Sequence, residues 1–266
     1  IGTFAPDEFK ERKKYFLDLL ESQDKDVRVK AWEEASALIE EGLITVDDVK
    51  ERKEYFLELL KSRRGLSAWW DIKGDTKLGS KSLIDVGVIT REDAPFFLEL
   101  LEFQDECVRA HAWGGVGALL DRGILAPDEV KEREKYFLEL LESRETYVRV
   151  RAWSCADDLL DRGIVAPADL AQRKEYFLEL LESRSEGVRV KAWSKVGTLI
   201  EKGVISVDEA RRRKKYFFKL LASYDPTTAI DASGIVKELI KNGVIPRHEA
   251  EDLLALNVIS EEDLDS

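Results

Sequence analysis

The chain has 266 residues, of which 44% are hydrophobic and 36% charged; 42 Lys and Arg stand against 54 Asp and Glu, a formal charge of −12. That balance argues against a general nucleic-acid binder, which needs a basic face to neutralise phosphates. No apolar run approaches the ~18 residues of a membrane span, and no basic stretch followed by an apolar one opens the chain, so neither an anchor nor a secretory leader is expected.

Two cysteines, Cys107 and Cys155, and two histidines, His111 and His248, are too few and too scattered for a metal cluster. Reduced thiols in a cytoplasmic protein, with no metal and no cofactor, are the expectation. Met is absent, and Asn and Gln are scarce beside abundant Glu, Lys and Arg. This pattern is shared by hyperthermophilic proteins, which are thermostable, and by designed sequences; both origins stay open.

In chain order, one phrase recurs: an aromatic pair, Leu, a charged residue and Leu-Leu, starting at Tyr15, Tyr55, Phe96, Tyr136, Tyr176 and Tyr216. A fixed period of about 40 residues signals a repeat array. The units run 1–42, 43–87, 88–123, 124–163, 164–203 and 204–243, followed by a cap at 244–266, all within a single domain spanning 1–266. The unit at 124–163 is the clearest. Pro127, Asp128 and Glu129 suit a helix start, and Val130, Tyr136, Phe137, Leu140 and Leu141 form one apolar stripe. A second helix carries Val148, Ala152, Trp153, Ala156 and Leu159 and ends at Gly163, whose role recurs at Gly42, Gly87, Gly123, Gly203 and Gly243. Each unit is therefore an antiparallel helix pair, and no strand pattern appears.

The run Asp26-Val27-Arg28-Val29-Lys30-Ala31-Trp32 recurs at Val108–Trp113, Val148–Trp153 and Val188–Trp193. It resembles the HEAT-repeat family, with Trp in place of that family's second small residue. The resemblance covers nearly the whole chain and implies an all-α, right-handed α-solenoid of about six helix pairs. It also implies a concave face lined by second helices, and a structural ladder of Arg28, Arg109, Arg149 and Arg189 bonded to acids near the turn. Asp24, Asp105 and Glu145, four positions earlier, are the expected partners. HEAT arrays serve mainly as binding scaffolds, so a protein-binding scaffold is the expected function, with no catalytic residue.

The second unit breaks the pattern between Arg63 and Gly87, where Trp69, Trp70, Lys73, Lys77 and Lys81 mix aromatic, basic and glycine residues. Two readings stand: a partner-binding loop, or a degenerate repeat split by Gly74. Downstream, Gly114, Gly115 and Gly117 lie inside a helix, so something must approach that backbone closely; the insertion carrying Trp70 is the nearest candidate. By register, Lys30, His111, Arg151 and Lys191 form one level of the exposed second-helix row, in Tyr147-Arg151-Ser154 and Gly187-Lys191-Ser194 for the last two. Such a row could hold an acidic peptide, a phosphate-bearing ligand or a nucleic-acid backbone. The run Trp69-Trp70-Asp71 keeps a base-processing, glycosylase-like HEAT protein as the alternative. At the end, Ile259–Leu264 echoes Val204-Ile205-Ser206 and also coincides with a common epitope tag.

Overall fold

A computed structural model describes residues 6–73 and 81–255. Among these residues every regular element is a helix. The chain divides into two compact units, Ile1–Arg133 and Glu134–Ser266. Lys77, Gly74 and Ile259–Leu264 lie outside the described residues.

In the second unit the sequence period is directly visible as structure. Glu134–Leu141 is followed by Thr146–Asp161, Lys174–Leu181 by Glu186–Trp193, and Lys214–Leu221 by Pro226–Lys241. Each pair is apolar on the facing sides, and the recurring tryptophan closes it. Trp153 Nε1 donates to the Leu141 carbonyl at 3.2 Å, and Trp193 Nε1 to the Leu181 carbonyl at 3.2 Å. The indole face then meets the next pair: Trp153 lies 5.1 Å from Phe177 and Trp193 5.3 Å from Phe217, centroid to centroid. One residue thus satisfies a carbonyl at the end of its own first helix and fills the gap to the following pair. The glycines that close the second helices, Gly163, Gly203 and Gly243, have φ of 68°, 71° and 72°, the left-handed conformation that only glycine adopts cheaply.

The first helix is broken, where a single helix was expected. A short segment precedes the main one: Pro167–Ala171 before Lys174–Leu181, and Val207–Arg211 before Lys214–Leu221. An arginine sits at each break and explains it. Arg173 has φ −110° and ψ 6°, and its Nη1 takes the Asp169 carbonyl at 3.0 Å; Arg213 takes the Glu209 carbonyl at 3.0 Å. The side chain satisfies a carbonyl that the interrupted helix leaves without an amide.

The same arginines reach the previous pair. Arg173 Nε lies 2.7 Å from Glu142 and Arg213 Nε 2.9 Å from Glu182. In the first unit Arg52 meets Glu21 at 2.7 Å and Arg133 meets Glu102 at 2.9 Å. A second series runs the other way along the chain. Lys174 binds Glu209 at 2.6 Å, Lys13 binds Asp48 at 2.6 Å, and Lys214 binds Glu249. Asp48 and Glu209 are also the acids of capping boxes with Thr45 and Ser206.

These two series stand beside the arginines expected to form a ladder, Arg28, Arg109, Arg149 and Arg189, of which Arg28 and Arg149 reach acids of the following helix pair, Glu58 and Glu179. Asp24 accepts from the Asp26 and Val27 amides, and Asp105 from those of Cys107 and Val108, so both carboxylates cap their helices. The arginines turn elsewhere. Arg109 and Arg189 donate to the carbonyls of Phe103 and Ser183 at 3.1 and 2.6 Å, and Arg28 and Arg149 approach Glu58 and Glu179 at 3.5 and 3.3 Å.

In the first unit the irregular stretch folds inward. A 3₁₀ helix at Arg63–Ala68 runs into a single helical turn at Trp69–Lys73. Trp69 is buried and fills the gap to the next pair, 6.1 Å from Phe97 in an edge-on arrangement, but its Nε1 makes no bond to a helix-end carbonyl. The chain returns at Lys81, whose amide donates to Glu40 at 3.0 Å, and Leu83 N donates to the Asp71 carbonyl at 3.0 Å. The Gly114–Gly117 cluster now has its reason: a Cβ on Gly115 would sit 2.8 Å from two atoms of the Trp69 ring. The close approach comes from Trp69 rather than Trp70.

Candidate functional site

Of the eight partner-binding candidates, two come together. Arg151 and Lys191 line one cleft of about 290 Å³ with Tyr147, Val150, Ser154, Ser194 and Lys195. The cleft lies between Thr146–Asp161 and Glu186–Trp193, which pack against each other in the second unit. Helical register places Tyr147, Arg151 and Ser154 on one face, three and four residues apart. The facing helix stops at Trp193 and resumes at Val196, which turns Lys195 into the cleft wall. A continuous helix was expected there, and so Lys195 was not foreseen. Glu238 covers the break: its carboxylate lies where a Cβ on Gly197 would be, and it accepts from the Thr198 amide.

The donors of this cleft differ in availability. Lys195 Nζ is held 2.7 Å from Asp157 Oδ2. Ser154 and Ser194 donate to their own helix carbonyls, Val150 at 2.6 Å and Lys191 at 2.9 Å. Arg151 is different: its Nε is sealed from solvent without a hydrogen-bond partner, and the Tyr147 oxygen accepts from the guanidinium. Burial pushes the Arg151 pKa below the usual arginine value, and nearby Tyr147 and Cys155 offset this only in part. No carboxylate is among the groups acting on it. Lys191 is exposed and Tyr147 is 48% exposed, so the cleft presents a guanidinium, an ammonium and a phenol to solvent.

Among the described residues two further grooves are each lined by an arginine that is already paired with a glutamate. One of about 610 Å³ is lined by Pro95, Leu98, Glu99, Glu102, Phe103, Gln104 and Arg133, and one of about 370 Å³ by Lys135, Leu138, Glu139, Glu142 and Arg173. Each contains its Arg–Glu pair, Arg133–Glu102 or Arg173–Glu142. They are gaps left by stacking.

The other candidates are dispersed. Lys30 is exposed on Lys25–Glu40 in the first unit. His111 does not share its exposure: it is 3% exposed, with Nδ1 2.8 Å from the Cys107 carbonyl. Its helix, Glu106–Asp121, has the Trp69–Lys73 turn packed against it and is buried on most sides. Trp69 is likewise core, whereas Trp70 is 51% exposed. Lys73 ends its helical turn, and its side chain lies outside the described residues.

Asp71 is the unexpected member. It is 3% exposed, its Oδ2 has no hydrogen-bond partner, and Glu33 and Glu34 lie nearby. Burial first, then repulsion from those two acids, pushes its pKa from 3.8 up to about 7. Among the described residues no three His, Cys, Asp or Glu side chains gather into a metal-binding group, and no helix is long and apolar enough to cross a membrane.

No family model matches the chain, and no curated protein matches it. Among solved structures it is similar to the crystal structure of an engineered protein determined by the Northeast Structural Genomics Consortium, at 14% identity over 95% of this chain and 92% of that chain, with a TM-score of 0.37.

Proposed function

We propose that the chain is a HEAT-like helical-repeat binding module, a solenoid of about six helix pairs that holds a segment of another protein against its second helices and performs no chemistry itself. The carrying observation is the Tyr147–Lys195 cleft. It presents a guanidinium on which no carboxylate acts, beside the exposed Lys191. A buried cation left unmatched costs stability, and a partner that supplies the anion recovers that cost on binding. Selection from a displayed random-peptide library tests this reading. The expected result is enriched peptides that bind the soluble protein in calorimetry; no enrichment over an unrelated helical protein overturns it.

A second reading, nucleic-acid binding with base processing, draws on Asp71 beside the exposed Trp70. A carboxyl near pKa 7 suits proton transfer at neutral pH. Its burial and its neighbours Glu33 and Glu34 weigh against approach by a polyanion. Labelled single- and double-stranded oligonucleotides decide: this reading requires binding that weakens steeply with salt.

A further inference from the structure

We propose that the groove beside Phe103 docks a bulky apolar side chain of a partner segment that carries a lysine or arginine next to it. The proposal rests on the interaction reading above and adds a second anchoring point, which shares no residue with the Tyr147–Lys195 cleft.

Stacking leaves an equivalent gap beside the third and the fourth first helices, and the two can be compared position by position. In the fourth unit the gap is lined by Lys135, Leu138, Glu139, Glu142 and Arg173 and holds about 370 Å³. In the third the corresponding residues are Pro95, Leu98, Glu99, Glu102 and Arg133, joined by Phe103 and Gln104, and the volume is about 610 Å³. One cation is gone and an aromatic ring has come in.

Pro95 is explained by the fold: it stands in the first turn of Ala94–Leu101, where a proline loses no needed donor. Phe103 has no such explanation. The other five units carry serine at its position, Ser22, Ser62, Ser143, Ser183 and Ser223. Four of these hydroxyls accept an amide of the following turn, from Asp24, Glu145, Ser185 and Asp225 at 3.2, 3.1, 3.3 and 3.1 Å, and Ser62 accepts from Gly65 at 3.3 Å. Phenylalanine forgoes that local bond and sets a half-buried ring beside the half-buried Leu98 and the exposed Pro95. An apolar wall left open in a groove of this size suits a partner's aromatic or branched side chain.

The charges select the neighbour of that side chain. Two lining acids, Glu99 and Glu102, face one lining cation, Arg133, which holds Glu102 at 2.9 Å. Glu99 meets Lys61 of the preceding pair at 3.0 Å, and both side chains are more than a third exposed, so that contact is weak and open to exchange. A cation on the partner is favoured and an acid is repelled. In the fourth unit two lining cations answer two lining acids.

The test is a displayed-peptide selection run in parallel on the full chain and on its Phe103→Ser variant, which carries the residue of the other five units. Peptides enriched on the full chain alone are then titrated by calorimetry. They are expected to share a bulky apolar residue beside a Lys or Arg, and to bind Phe103→Ser at least about tenfold more weakly, as loss of an anchor contact requires. Pro95→Lys, at an exposed position, should weaken them as well, which keeps the test valid if Phe103→Ser folds poorly. Exchanging the peptide's basic residue for glutamine should also weaken binding. Peptides that bind the full chain and both variants alike, or that keep their affinity without the basic residue, overturn the docking groove and leave the binding module standing. A selection that yields nothing on the full chain removes the module, and this groove with it.

Discussion

The irregular stretch of the first unit and the regular pair at Thr146–Trp193 reverse the roles that their sequences suggest. The stretch from Arg63 to Gly87 breaks the period and collects unusual residues, yet its described part packs inward. Trp69 presses on Gly115, Asp71 is buried, and the return at Lys81 and Leu83 is tied to Glu40 and Asp71. The regular pair looks like repetition and nevertheless contains the unmatched guanidinium. A broken repeat must repair its own core, and its odd residues go to that repair. A regular repeat has its core settled by pattern, which leaves its outward register positions unconstrained by packing.

The largest effects that would break this contrast concern the tryptophans. Trp153→Ala should cost about 3–5 kcal/mol in urea unfolding, as loss of a large core side chain does. The sharper comparison is with phenylalanine. Trp153→Phe leaves the Leu141 carbonyl without its donor, whereas the buried Trp69 Nε1 has no partner to lose. Trp153→Phe should therefore be worse than Trp69→Phe by about 1 kcal/mol. Equal costs would mean that Trp69 closes its repeat as the regular tryptophans do.

The two regions should also titrate in opposite directions. Asp71 binds its proton more tightly folded, near 7, than unfolded, near 3.8. Below about pH 4 both states are protonated and the group is neutral to stability; as pH rises to about 7 the folded state loses on the order of 2–4 kcal/mol. Asp71→Asn should flatten that decline, and an unchanged slope would place the titration elsewhere. Glu209 behaves conversely. Its hydrogen bond to Lys174 leads, burial opposes it, Ser206 adds to it, and the carboxyl is held at about 2. Its contribution is present above the unfolded value near 4.5 and is lost as pH falls toward 2. Glu209→Gln should soften only the acid limb.

The smallest effect belongs to the arginine series. A double-mutant cycle on Arg173→Met and Glu142→Gln should give a coupling of about 0.3–1 kcal/mol, because Glu142 is partly exposed. A coupling indistinguishable from zero would leave Arg173 with only its role at the helix break.

Much of this was legible in the sequence for a physical reason: helix pairs are local. The apolar stripes, the closing glycines and the Trp-bearing second helices all depend on residues within one period; the departures are the helix breaks at Arg173, Arg213 and Ser194–Lys195. Tyr147, Arg151, Lys191 and Ser194, neighbours by register, line one cleft. What escaped was long-range. His111 occupies the register of Lys30 but is buried, on a helix against which a turn more than thirty residues away packs. Arg173 and Glu142 recur at constant spacing, a usable signal, but the pairing crosses from one repeat to the next and a single-repeat reading does not reach it. Lys195 depended on a helix break that its neighbours' propensities do not announce. Asp71 was flagged by its tryptophans, while its lack of a partner is a property of the packed core.

The paired arginine and lysine series have a consequence for how such a chain changes length. Arg213 recognises an acid and its approach angle, both of which Glu182 supplies and Glu142 supplies equally to Arg173. A chain lacking residues 164–203 would set Glu142 before Arg213, with both halves of the contact intact. The lysine series is not interchangeable in the same way: the position one period before Lys174 is Glu134, which would stand before Glu209 in such a chain, so the arginine joint is kept while that lysine joint is lost.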